Sequence, residues 1–234
     1  MKAIFHNPTN KEKVMMKLVI VILSSLIFTI NCLFAQNPHW VQKTDMPTAR
    51  WGLSACEANG KIYVFGGSQS ATSPGYSIGI LEVYDPTQNT WDTTKTPMPT
   101  ARLMFMTGVV NGKIYVIGGR RVWTTGVDLG TVEVYDPLSD TWETKAPMPK
   151  PRTNAGVCVF DDKIYIIGGI KDSSVFNFSN DLQIYHPNTD TWDTTKTPMN
   201  YKRDPYACVL DDLIFVIGGT DGPPYAGLHR VEDL

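Results

Sequence analysis

The chain has 234 residues, 42% of them hydrophobic, enough to bury a sizeable core, which excludes a disordered chain. Its 21 lysines and arginines nearly balance 23 aspartates and glutamates, for a formal net charge of -2. That balance excludes a polyanion-binding surface, and with it nucleic acid as a partner.

The first element differs in composition from everything after it. Lys11, Lys13 and Lys17 precede the apolar run "LVIVILSSLIFTI" (Leu18 to Ile30), and "NCLFAQ" follows with the small residue Ala35. Charged, apolar and small-residue segments in this order read as a signal peptide over residues 1–35, with Met15 or Met16 as an alternative start. The apolar run is shorter than the roughly 20 residues a helix needs to cross a bilayer. Membrane attachment is therefore expected only if the segment stays uncleaved. Asn31 before Cys32 disfavours lipoprotein processing, which wants a small residue there. The expected product is exported, periplasmic or extracellular, with residues 36–234 as its folded part.

Beyond residue 36 the chain repeats. Trp40, Trp91, Trp142 and Trp192 are separated by 51, 51 and 50 residues. Gly-Gly pairs at Gly66, Gly118, Gly168 and Gly218 keep step, as do Tyr84-Asp85-Pro86, Tyr135-Asp136-Pro137 and Tyr185-His186-Pro187. So do Met46, Met98, Met148 and Met199, then Arg50, Arg102, Arg152 and Arg203. A fixed period near 50 residues means one supersecondary unit repeated, each unable to cover its own faces. The units run over about 40–90, 91–141, 142–191 and 192–234, the last one cut short.

Within a unit, "KIYVIGG" and "TVEVYDP" alternate β-branched and aromatic residues and end in breakers. No stretch shows a 3.6-residue apolar period, so four short strands and no helix are expected per unit. The first strand of each unit is rich in small residues ("GLSAC", "MTG", "NAGVC", "YAC"), as an innermost strand crowded near an axis would be. Cys56, Cys158 and Cys208 share one slot of that strand. They are expected to remain buried thiols, since a free cysteine packs as a small hydrophobe.

These residues resemble the kelch repeat of a secreted, bacterial-type protein, over Trp40 to the C-terminus. The Gly-Gly, Tyr-Asp-Pro, Trp and Met-Pro markers carry the resemblance. It implies an all-β fold, a kelch-type β-propeller of four-stranded antiparallel blades around a channel. About four blades are expected here, in an incomplete ring and so a fragment. An exposed blade face would then make the chain self-associate.

The loops after Gly-Gly vary most between units, as a recognition surface would. Trp123, Phe176, Phe178 and Tyr225 lie in them and would suit stacking on a sugar or anchoring a peptide. Arg50, Arg102, Arg152 and Arg203 read either as a cationic mouth or as braces, for instance against Asp85, Asp136 or a carbonyl; one per blade favours braces. The three histidines beyond the signal lie in different units without metal-ligand spacing, and no nucleophile elbow or phosphate loop is present. No cofactor, metal or catalytic residue is expected. The resulting expectation is a binding or scaffold module for a protein or glycan, not an enzyme. The alternative, which the resemblance also implies, is a periplasmic sugar-modifying enzyme of the sialic acid mutarotase type.

If the N-terminal reading holds, sequencing of the exported product begins at Gln36; recovery of an intact Met16, or of lipid on Cys32, would contradict it.

Overall fold

The computed structural model describes residues 40–70, 75–122, 127–172, 177–200, 204–219 and 228–231. The chain divides into a unit over Met1–Lys43 and one over Thr44–Leu234. In the first, residues 40–43 carry no regular structure and Trp40 is exposed. All the described strands lie in the second.

Each repeat folds as one antiparallel sheet. The first blade is β1 (Ser54–Ala58), β2 (Lys61–Phe65), β3 (Leu81–Asp85) and β4 (Thr90–Asp92), paired in that order. The second is β5 (Met106–Val110), β6 (Lys113–Ile117), β7 (Val132–Asp136) and β8 (Thr141–Lys145). The third joins β9 (Gly156–Phe160), β10 (Lys163–Ile167), β13 (Leu182–His186) and β14 (Thr191–Asp193); the small hairpin β11 (Ile170–Asp172) and β12 (Asn177–Phe178) rises from its variable loop. The fourth shows β15 (Tyr206–Leu210), β16 (Leu213–Ile217) and β17 (Leu228–Val231). Adjacent inner strands pack in a row, β1 against β5, β5 against β9, β9 against β15, so the blades fan around one axis and the ring is not closed.

Local chemistry sets the turns. The β1–β2 and β5–β6 hairpins turn on Asn59-Gly60 and Asn111-Gly112 with positive φ at both residues, the geometry whose twist matches flanking strands. Asp161-Asp162 adopts the same geometry without a glycine, at φ 50° and 54°. The Gly-Gly pairs are required by a close approach. A β-carbon on Gly66 would stand 2.5 Å from the Arg102 carbonyl of the next blade, and one on Gly118 2.6 Å from that of Arg152. With no side chain in the way, Gly67 and Gly119 donate their N–H groups to those same carbonyls at 3.0 and 2.8 Å.

The core lies between blades. Tyr63, Phe65, Leu81 and Val83 of the first blade pack on Ile114, Val116 and Tyr135 of the second. Tyr115, Ile117, Val132 and Val134 pack on Ile164, Ile166 and Tyr185 in the same way, and Tyr165, Ile167, Leu182 and Ile184 on Ile214 and Val216. Each fully buried side chain of this size contributes about 1.5–3 kcal/mol, so every interface is a substantial share of the stability. Cys56 and Cys158 sit inside these interfaces, where burial pushes their thiols up to about 12. Cys208 corrects the expectation of three buried thiols: it is exposed, because no described blade packs on the far side of β15.

A polar clamp fastens each blade to the linker before it. The Trp91, Trp142 and Trp192 indoles donate to the carbonyls of Thr44, Thr96 and Ala146 at 3.1, 3.0 and 3.0 Å. The N–H groups of those same three residues bond to the side chains of Asn89, Asp140 and Asp190. Tyr84, Tyr135 and Tyr185 complete the clamp, each donating its hydroxyl to the same Asn or Asp oxygen at 2.6 Å. The Tyr of the repeat, its Trp and a turn residue thus form one device. Burial pulls the Asp140 and Asp190 carboxyls upward, but the Tyr hydroxyl and the linker N–H hold both below their ordinary value.

A carboxylate whose folded-state pKa is depressed stabilises the fold fully above its unfolded value near 3.9 and loses that contribution as pH falls through the folded value. Asn89 already performs the role uncharged. Urea midpoints at pH 5 and pH 2.5 should therefore fall less for the double variant Asp140→Asn, Asp190→Asn than for the parent chain; equal losses would show that these two carboxylates do not carry the acid sensitivity.

Candidate functional site

The variable loops and the entries to the inner strands share one end of the blades. Isolated bridges pair Trp51 with Ser68, Leu103 with Arg120 and Thr153 with Ile170, which ties the base of each loop to the segment entering the inner strand. The first two loops also touch: Ser77 donates its N–H and its hydroxyl to the Arg121 carbonyl at 3.1 and 2.7 Å.

The repeat's arginines lie beneath this end as ion pairs inside the sheets. Arg50 meets Glu82 at 3.0 Å and donates to the Val64 carbonyl, while Thr48 donates to the other Glu82 oxygen. Arg102 repeats the arrangement with Glu133, Thr100 and the carbonyls of Gly118 and Thr131. Gln183 replaces the glutamate in the third blade and bonds the backbone of Lys150 instead. Arg152 accordingly turns to Asp181 and Ser179. Burial draws all three guanidinium groups below their ordinary value, and the carboxylate opposite raises each part of the way back. The partners are not Asp85 and Asp136, which bond their own turns and face Lys61 and Lys113. Of the other residues singled out from sequence, Phe178 is half-buried on β12. Arg203, Trp123, Phe176 and Tyr225 lie outside the described residues.

The residues just before the inner strands at this end occupy a slot that the repeat markers do not include. In register with the inner strands, that slot holds Gly52, Met104, Asn154 and Asp204. The first three have φ of 64°, 57° and 49° and are linked blade to blade, Met104 N–H to the Gly52 carbonyl and Asn154 N–H to the Met104 carbonyl. Left-handed backbone at Met104 and Asn154 is a strained choice held by this chain of bonds. Beside it opens a cleft of about 560 Å³ lined by Ser54, Phe105, Asn154, Asp204 and Tyr206. A carboxamide and a carboxylate thus lie on one cleft with the exposed Tyr206 beside them, while the Phe105 ring is buried between the first two blades. Their sequence signal was variability at a fixed place in a constant frame, which a search for shared markers passes over.

A second cleft of about 400 Å³ lies between the first two blades near Trp91 and Leu138. Its charges neutralise one another, Lys61 on Asp85 at 3.2 Å and Lys95 on Asp92 at 3.3 Å, which leaves less to recognise a ligand. Among the described residues no three His, Cys, Asp or Glu side chains converge as metal ligands, and no helix is long and apolar enough to cross a membrane.

The family model of the Attractin/LZTR1 beta-propeller matches residues 28–222, more than four fifths of the chain. The chain belongs to this family. Among curated relatives, this propeller is 33% identical to an F-box/kelch-repeat protein of Arabidopsis thaliana over 103 residues, 44% of this chain and 26% of that protein. It is 35% identical to Kelch-like protein 23 of Mus musculus over 104 residues, 44% of this chain and 17% of that protein. The matched segments are thus about a quarter or less of these relatives. The solved structure of YjhT superposes with a TM-score of 0.69 at 19% identity, over 80% of this chain and 64% of that one. This match stands against the expectation that the chain is not an enzyme; at 19% identity what the two share is the fold.

The arginine pairs generate a stability prediction. Arg102→Ala leaves Glu133 charged and buried and should cost about 3–5 kcal/mol in urea unfolding. The double replacement Arg102→Met, Glu133→Leu should cost clearly less than the single one; an equal or larger loss would show that the pairing is not what makes the single variant costly.

Proposed function

We propose that the axial cleft binds a sugar and that the protein is a sugar-modifying enzyme of the mutarotase type. The observation that carries this reading is the meeting of Asn154 and Asp204 at one cleft, with the exposed Tyr206 beside them. The fold shared with YjhT supports it. Interconverting anomers needs little machinery. Asp204 takes the proton of the anomeric hydroxyl, the bond from the anomeric carbon to the ring oxygen breaks, and the ring oxygen takes a proton from solvent water. The open-chain carbonyl then turns and closes on its other face, with the protons returned and no oxidant or co-reactant consumed. Asn154 offers hydrogen bonds to ring hydroxyls, and Tyr206 offers a flat apolar face to sugar C–H groups. The loops above the cleft would select the sugar. Export to the periplasm or the exterior, where free sugars meet the protein, is part of the proposal and rests on the order of residues 1–36.

Exchange spectroscopy on sialic acid tests the reading. The protein should accelerate anomer interconversion over buffer. Asp204→Asn should slow the catalysed exchange about 10²–10⁴-fold, the usual share of a positioned acid or base, with the unfolding midpoint unchanged. No acceleration by the parent chain, across a panel of reducing sugars that includes sialic acid, would overturn it.

A further inference from the structure

We propose that Asn111-Gly112 is a site of spontaneous backbone modification, deamidating to isoaspartate and aspartate, while Glu57 protects the matching Asn59-Gly60. The two turns share one geometry. Asn59 and Gly60 stand at φ 52° and 74°, Asn111 and Gly112 at 51° and 73°. Strand register is the same as well, with Ala58 opposite Lys61 and Val110 opposite Lys113. Both asparagines are exposed. What differs is the hold on the glycine nitrogen, the nucleophile of the reaction. The Gly60 N–H donates to the Glu57 carboxylate at 2.8 Å. Val109 occupies the place of Glu57 in the second hairpin, and its side chain has no acceptor. Asn59 Oδ1 is also turned toward the next blade, where it stands 3.9 Å from a β-carbon placed on Gly112.

The reaction needs only water. The Gly112 nitrogen gives its proton to solvent base and attacks Asn111 Cγ; the Cγ–Nδ2 bond breaks, ammonia leaves with a proton from solvent, and a succinimide ring closes. Water then opens the ring. Opening at the main-chain carbonyl leaves isoaspartate and opening at the side-chain carbonyl leaves aspartate, so water enters once and ammonia leaves once. A carboxylate hydrogen-bonded to the glycine N–H favours the protonated amide and opposes the first step, which is the protection Glu57 gives Gly60. The two products differ in what they do to the fold. Aspartate is already accommodated at this place: Asp161 fills it in the third blade at φ 50° and meets Lys163 at 2.7 Å, and Lys113 holds the place of Lys163 in the second. Isoaspartate routes the main chain through the side-chain carbon and lengthens a two-residue turn whose twist matches its strands. Those strands bury Met106 and Val110, each 3% exposed, in the joint to the third blade. The inference does not depend on what the axial cleft binds.

Peptide mass spectrometry tests it on the full chain, kept folded at neutral pH with mild warming and then cut with trypsin. Asn59 falls in the peptide Trp51–Lys61 and Asn111 in Leu103–Lys113, so the gain of one mass unit is read separately for each. Asn111 should convert about tenfold faster than Asn59, the scale of one hydrogen bond to a charged group, with isoaspartate among the products. Glu57→Val gives the first hairpin the residue of the second and should raise the Asn59 rate to that of Asn111. Glu57→Ala repeats this arm should valine disturb the sheet. In urea, where the hold on Gly60 is released, the two should convert at comparable rates. The aged chain should unfold at lower urea than the fresh one, whereas Asn111→Asp should unfold with the parent. No conversion at Asn111, equally fast conversion at Asn59 in the folded chain, or an Asn59 rate unmoved by both Glu57 variants would overturn the inference.

Discussion

A blade of this protein has two apolar faces and no means of covering either, so everything else in the structure follows from stacking. The interface is a flat sandwich of Tyr, Phe, Ile and Val side chains, each contributing a few kcal/mol only when the neighbouring sheet lies against it. Stacking alone would leave sheets free to slide. The clamp removes that freedom: an indole N–H and an Asn or Asp oxygen grip the carbonyl and N–H of one linker residue, and the Tyr hydroxyl holds the oxygen in place. At the opposite end, Gly-Gly lets the backbone of one blade bond the arginine carbonyl of the next. Two polar latches and one apolar sandwich fix each blade angle.

The buried arginines show how a charge can be spent on rigidity. Arg50 and Arg102 join the segment entering the inner strand to a glutamate on the third strand, so that segment and the third strand cannot separate without leaving a charge stranded in the core. The third blade changes the glutamate to Gln183 and moves the arginine onto Asp181 without changing the sheet. The geometry therefore constrains the guanidinium more than its partner. A frame held this firmly can carry variable residues at the axial slot, and the sequence from Gly52 to Met104 to Asn154 to Asp204 is the result.

The same logic explains which site residues were legible. Markers that repeat do so because every blade needs them, so a search for shared residues finds latches and braces: Trp142, Tyr135, Arg102, Gly118. Residues that treat a ligand differently on each side must differ between blades, and they hide in the positions the alignment discards. Asn154 and Asp204 are of that kind. Cys208 shows the other limit. It shares its slot with Cys56 and Cys158, but burial belongs to the neighbour and not to the slot, and no described blade covers it.

The sequence by itself determined the repeat, the four strands of a blade and the need for neighbours on both faces. Those properties follow from local pattern, since alternation, breakers and period are written along the chain. Only the tertiary structure decided that Arg102 pairs with Glu133 and not Asp136, that Asp140 accepts from both Tyr135 and the preceding linker, and that Asn154 and Asp204 line one cleft. These contacts join residues tens of positions apart. Which oxygen a side chain reaches depends on strand register and the angle between blades, and neither is a property of any segment alone.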